Sequence, residues 1–210
     1  MRGMGQILSL FATRIYRADD AGEVKLNYDL ETVALALAAD DHAGLGWCQK
    51  HGYPGYTSFA SLDSLTERFA EFARLEKIIN RHVKTFAKEL RWDMRGKAPI
   101  CDSLWVNVMP QGGSHTSHIH RNSVVSGTYY VTVPPGAGPI VFEDPRLPQM
   151  MAAPACLDKA PREFHTHVRE MPKAGSLLLW ESWLRHEVPL NRAEGNRISV
   201  SFNYALGSAE

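Results

Sequence analysis

The spacing of apolar residues changes near residue 99. Before it, Leu65, Phe69, Phe72, Leu75, Ile79, Val83, Phe86 and Leu90 recur at intervals of three and four, with charged residues between them. That period predicts a long amphipathic helix with one face against a sheet. Ser64 and Glu67 form a candidate capping box at its start. Residues 29–40 predict a shorter helix, with Asp29 as its N-cap and Thr32 as the weaker alternative. The stretch 42–60 is rich in glycine and aromatics and reads as an ordered loop into which Trp47, Tyr53 and Tyr56 pack. Residues 7–16, ILSLFATRIY, read as a first strand.

Beyond residue 99, period-two alternation and short apolar runs take over. Candidate strands are 103–109, 125–133, 138–143, 175–181, 184–188 and 197–204, with Pro134-Pro135-Gly136 and Pro139 as punctuation. Many short strands with Gly/Pro turns predict a sandwich or barrel. The fold class is therefore mainly β with N-terminal helices. An N-terminal strand and helices (1–98) pack on a β core (99–210) as one structural domain. No βαβ alternation and no glycine-rich phosphate loop is present, which argues against a nucleotide-binding α/β fold.

The 210 residues and 44% hydrophobic content are enough for a real core. Lys plus Arg (23) balances Asp plus Glu (23), so no general affinity for nucleic acid or acidic membranes is expected. Cys48, Cys101 and Cys156 are far apart and form no CxxC, which reads as a reduced, cytoplasmic chain without a disulfide framework. The run in MRGMGQILSLF is too short for a convincing leader, and no stretch approaches the roughly 18 apolar residues of a membrane span. Base rates favour a homodimer.

Three of the nine histidines, His115, His118 and His120, fall in GGSHTSHIH. In a strand His118 and His120 share a face. Side-by-side imidazoles are poor core filler but good ligands for Fe, Zn, Ni or Cu. His186 lies in a later run. In the last strand Ile198, Val200, Phe202 and Tyr204 face one way and Arg197, Ser199, Ser201 and Asn203 the other. That polar row is either a solvated sheet face or the wall of a pocket. His165 and His167 form a second HxH in a charged stretch that reads as a surface loop.

One HxH early in the β region, a lone His late, and an Arg eleven residues beyond it form an arrangement that resembles the 2-oxoglutarate/Fe(II)-dependent oxygenase superfamily. The likeness is to its bacterial and phage-type branch. It is carried by Trp105-Val106-Asn107, Gly112 to His120, Ser126 to Val131, Phe142 to Arg146, Ser182 to Val188 and Arg197 to Asn203. The resemblance implies a double-stranded β-helix, the cupin-like jelly roll. It implies Fe(II) on His118, His120 and His186. It implies 2-oxoglutarate with its distal carboxylate on Arg197 and Ser199, and with Asn107, Tyr129 and His115 lining the pocket. The implied reaction is hydroxylation of an unidentified small molecule or side chain. The sequence departs from the superfamily at His120, where a carboxylate is usual; Glu143 or Asp144 are candidates to replace it. Two alternatives stay open: a three-histidine dioxygenase that does not use 2-oxoglutarate, and a non-catalytic metal-binding module with His115 as fourth ligand.

Overall fold

The structure, a computed structural model, describes residues 5–208. Met1 to Met4, part of the segment weighed as a leader, lie outside the described residues. Two sheets face one another. The larger has the order β1-β8-β5-β10-β3-β2, the smaller β4-β9-β6-β7. The strands are β1 (Ile15–Ala18), β2 (Tyr56–Thr57), β3 (Lys97–Met109), β4 (His115–His118), β5 (Val125–Thr132), β6 (Ile140–Glu143), β7 (His167–Glu170), β8 (Leu177–Glu181), β9 (His186–Val188) and β10 (Arg197–Ser208). From β3 onward the chain passes back and forth between the sheets, and all pairings are antiparallel. This is the double-stranded β-helix.

Alternation along β10 divides the interior in two. Ile198, Val200, Phe202 and Tyr204 join Val106, Val108, Leu177 and Leu179 on the outer face of the large sheet. There they meet α1 (Val24–Asp40) and α4 (Ala70–Glu89), which bury Leu26, Leu30, Phe72, Leu75, Ile79, Val83 and Phe86. Each such buried side chain contributes about 1.5–3 kcal/mol. The opposite face of the sheet looks into the barrel, where Tyr130, Ile140, Phe142, Leu178, Trp180 and Leu184 form a second cluster.

Several expected elements differ. The first strand is confined to Ile15–Ala18, because its neighbour β8 runs only from Leu177 to Glu181 and offers no partner to earlier residues. Helix α1 begins at Val24, so Asp29 is inside it, paired with Lys25 at 2.9 Å, and is not a cap. The expected loop 42–60 contains α2 (His42–His51). Asp41 caps it by accepting from the Gly44 N–H, and Gly52 ends it in the left-handed conformation at φ 64°. The long helix is broken. Ser64 is left-handed and makes no capping bond, α3 spans Leu65–Arg68, and Phe69 is extended before α4 begins. The stretch expected as a surface loop supplies β7 from His167 to Glu170, an edge strand of the small sheet. Strand β4 ends at His118, so His120 is carried by the loop that follows. Among the described residues no helix is long and apolar enough to cross a membrane.

Candidate metal centre and anion pocket

The barrel interior near the ends of β4 and β9 gathers His118, His120 and His186. Their ligand atoms all lie within 4.8 Å of one another, the arrangement of a metal site. Strand pairing does most of this work, since His118 sits directly opposite His186. The loop after β4 swings His120 inward, held by its backbone N–H donating to the Ser182 carbonyl. The Nε2 atoms of His120 and His186 are 3.3 Å apart. Two nitrogens bound to one ion at about 2.0–2.1 Å stand roughly 2.8–3.4 Å apart, depending on the coordination angle.

The outward nitrogens fix the inward ones. Nδ1 of His118 lies 2.7 Å from the Thr116 carbonyl, and Nδ1 of His186 lies 2.9 Å from the Leu184 carbonyl. An imidazole that donates from Nδ1 keeps its Nε2 lone pair free, as a ligand requires. Burial, then the neighbouring imidazoles, holds His120 at about 4 and His186 at about 3, and His118 is also lowered by burial. All three are therefore neutral near pH 7.

Deeper in the barrel, Arg197 is 3% exposed and faces Tyr130 with its guanidinium carbon 5.0 Å from the ring centroid. Burial lowers its pKa, but a guanidinium starts so high that it stays charged. Among the described residues no carboxylate lines the cavity between the triad and Arg197. Nε of Arg197, the Tyr130 hydroxyl and Nε1 of Trp180 are buried without a hydrogen-bond partner, and all three residues line this cavity. Buried donors without acceptors are costly. Three of them around one cavity, one on a fixed cation, describe a receptor for an anionic oxygen ligand. The donor set thus fits both a divalent metal and a carboxylate-bearing cosubstrate.

The sequence-predicted residues fall as follows. Ser199, Asn107 and His115 line the cavity with Arg197 and the triad. Asn107 donates from Nδ2 to Ser201 Oγ at 3.1 Å and accepts from the Tyr53 hydroxyl at 3.4 Å. His115 stacks on His118 at 4.9 Å between centroids and is not part of the metal-ligand group. Tyr129 is a correction. It faces the helices, not the cavity, and its hydroxyl donates to Asn27 Oδ1 at 2.5 Å. Its neighbour Tyr130 takes the inward place because successive strand residues face opposite sides. The candidate replacement carboxylates are also elsewhere. Asp144 pairs with Arg146 at 2.8 Å, and Glu143 lies 4.0 Å from Arg185. Sequence reasoning missed Tyr130, Trp180 and Thr128 as cavity residues. Neither strand showed its phase in sequence, since β5 carries two adjacent tyrosines and β8 is apolar from Leu177 to Trp180.

A family model described as "Putative 2OG-Fe(II) oxygenase" matches residues 103–203. No curated protein sequence matches. Among solved structures, the non-heme alpha ketoglutarate dependent epimerase SnoN from nogalamycin biosynthesis is similar at TM-score 0.64 and 13% identity, over 92% of this chain and 76% of that one. SnoN is also known in complex with Fe3+, alpha ketoglutarate and nogalamycin RO. The viral collagen prolyl hydroxylase of Paramecium Bursaria Chlorella virus-1 is similar at TM-score 0.57 and 10% identity over 99% of both chains. The chain spans 57% of an oxidoreductase of the 2OG-Fe(II) oxygenase family from Burkholderia pseudomallei, at 16% identity, 62% coverage of this chain and TM-score 0.46. At such identities a structural likeness speaks for the fold. The matched family model covers the segments that carry the three histidines and Arg197, so residues 103–203 are similar to the family of putative 2OG-Fe(II) oxygenases.

Proposed function

We propose that the protein is an Fe(II)- and 2-oxoglutarate-dependent dioxygenase that hydroxylates an as yet unidentified small molecule or side chain. The observation that carries this reading is Arg197, a buried guanidinium with no carboxylate partner among the described residues and an orphan Nε, in the same cavity as three converging histidines. His118, His120 and His186 would hold the metal. Arg197 would take the distal carboxylate of 2-oxoglutarate, with Ser199 and Tyr130 adding hydroxyl donors and Asn107 and His115 shaping the wall. When bound, the iron and cosubstrate would couple decarboxylation of 2-oxoglutarate by O2 to oxygen insertion into a C–H bond, yielding succinate, CO2 and an alcohol. The chain's own contribution is to orient these groups and keep water from them. Trp180, Phe142 and Ile140 form the dry side of the barrel, and Trp180 packs edge-on to His186 at 4.7 Å.

The same observation counts against the two alternatives. A dioxygenase with no dianionic cosubstrate leaves Arg197 unmatched, and His115 stands outside the ligand group that a closed four-histidine module would need. The experiment is anaerobic titration of the Fe(II)-loaded protein with 2-oxoglutarate, followed by its visible charge-transfer absorption. The band is expected in the wild type and weakened in Arg197→Ala. Stoichiometric iron with no band would remove the 2-oxoglutarate reading.

A further inference from the structure

The cavity has an unbalanced charge. Among the described residues its lining holds four histidines and Arg197, and no aspartate or glutamate. Other acidic groups of the barrel stand outside that lining: Asp144 pairs with Arg146, Glu143 lies beside Arg185, Glu170 pairs with both Arg17 and Arg162, and Glu181 and Glu187 sit on β8 and β9. Histidine binds a metal through a neutral imidazole, so His118, His120 and His186 would add no negative charge to the ion. Resting on the reading above, a divalent metal and the Arg197 guanidinium bring three positive charges, and the dianionic cosubstrate returns two. One positive charge is left over in a water-poor barrel. Uncompensated buried charge is strongly unfavourable. A carboxylate at position 120 would cancel it, but this chain has His120 there.

We propose that the loaded cavity binds one further monoanion, beside the histidine triad, as a third ligand in addition to metal and 2-oxoglutarate. The shared chemistry is a single negative charge, brought either by an acidic group of the substrate or by a small free anion. The field around the triad favours it from outside as well, since Arg185 directly precedes His186 and, among the described residues, its one ion-pair partner is Glu143 at 4.0 Å. Two of the cavity's hydroxyls, those of Thr128 and Ser201, lie 3.2 Å apart and can turn a proton toward such a ligand.

The test uses the Co(II)-substituted protein saturated with 2-oxoglutarate, so that the readout is the Co(II) visible spectrum and not turnover. Sodium chloride and sodium acetate are titrated separately at constant ionic strength. The wild type is expected to show a saturable spectral change. His120→Asp, which installs the missing charge, is expected to bind the same anion at least about tenfold more weakly while retaining Co(II). Tighter response to acetate assigns the site to an acidic substrate group, and tighter response to chloride assigns it to a free anion. No saturable change in a wild type that carries both Co(II) and 2-oxoglutarate overturns the proposal and leaves the oxygenase reading standing. Equal anion affinity in His120→Asp also overturns it. Failure of 2-oxoglutarate itself to bind, seen by calorimetry on the Co(II) protein, overturns both.

Discussion

His120 and His186, 66 residues apart, bring their Nε2 atoms to 3.3 Å. Nδ1 of His186 is already committed to the Leu184 carbonyl, so the ring turns its lone pair inward. Without a metal, His120 in its Nε2–H tautomer can donate to that lone pair; a cation between the rings takes both Nε2 lone pairs instead. The folded chain thus presents a preformed cation site, with His118 completing the group of three ligand atoms within 4.8 Å of one another. At a divalent metal concentration about a hundredfold above Kd, binding adds about 2.7 kcal/mol. In a protein of this size that corresponds to a rise in Tm of about 5–10 °C. Thermal unfolding with EDTA and with Fe(II), Co(II) or Ni(II) checks this, and His118→Ala should abolish the rise. A Tm indifferent to metal would contradict the site.

The same histidines set the acid sensitivity of the metal-free protein. Burial above all, then neighbouring imidazoles and Arg197, lowers His115 to about 4, and burial and His118 lower His120 to about 4, from an ordinary value of 6.5. Between those values the unfolded chain binds protons that the folded chain refuses. Stability therefore falls as pH drops from about 6.5 to about 4, and these groups contribute no slope above 6.5. Metal steepens the fall, because protons and metal compete for the same lone pairs. Thermal unfolding across pH 4–8 should show this slope, and His115→Phe should flatten part of it. A flat profile through pH 5–6 would show that the imidazoles are not buried as described.

Tyr129 and Tyr130 are adjacent yet serve opposite faces. Tyr129→Phe removes the bond to Asn27 and should cost about 1 kcal/mol of stability with 2-oxoglutarate affinity unchanged. Tyr130→Phe removes a buried hydroxyl without a partner, so stability should hold or rise while 2-oxoglutarate binds more weakly. Chemical denaturation and calorimetry on both variants separate the two effects. A reversed pattern would exchange the faces of β5.

That pair shows where the sequence was readable. The alternation of β10 was unambiguous because Ile198, Val200, Phe202 and Tyr204 are apolar and Arg197, Ser199, Ser201 and Asn203 polar, so its two faces could be separated in advance. Strand β5 reads SGTYYV, in which two equal tyrosines hide the phase. Only its register on β10, with Ser199 opposite Tyr130 and Val200 opposite Tyr129, resolves it. HxH suggested His118 and His120 as a pair, a weak signal by itself, and His186 was joined to them only by the resemblance of the whole arrangement; the fold brings the three ligand atoms within 4.8 Å of one another. Helix α2 was hidden by Gly44 and Gly46, poor helix formers that the Asp41 cap offsets. The break at Phe69 was hidden because Leu65 and Phe69 keep the helical spacing across it.

Arg197 offers the clearest separation of function from stability. A buried cation without a counter-ion destabilises the empty protein, and replacing such a group by an apolar one of similar length is often neutral or stabilising. Arg197→Met keeps the volume and the packing over the Tyr130 ring while removing the charge. The metal-free variant should therefore unfold at the same temperature as the wild type or a higher one. Its affinity for 2-oxoglutarate should fall by about 2–5 kcal/mol, roughly 30-fold or more, because the distal carboxylate would then be buried without a partner. Metal binding should be unaffected, since Arg197 is not among the ligands. Calorimetric titration of 2-oxoglutarate into the Co(II)-loaded variant, run beside its melting curve, reads both quantities. A variant that melts well below the wild type would mean that Arg197 holds the empty fold together, and its role would then be structural.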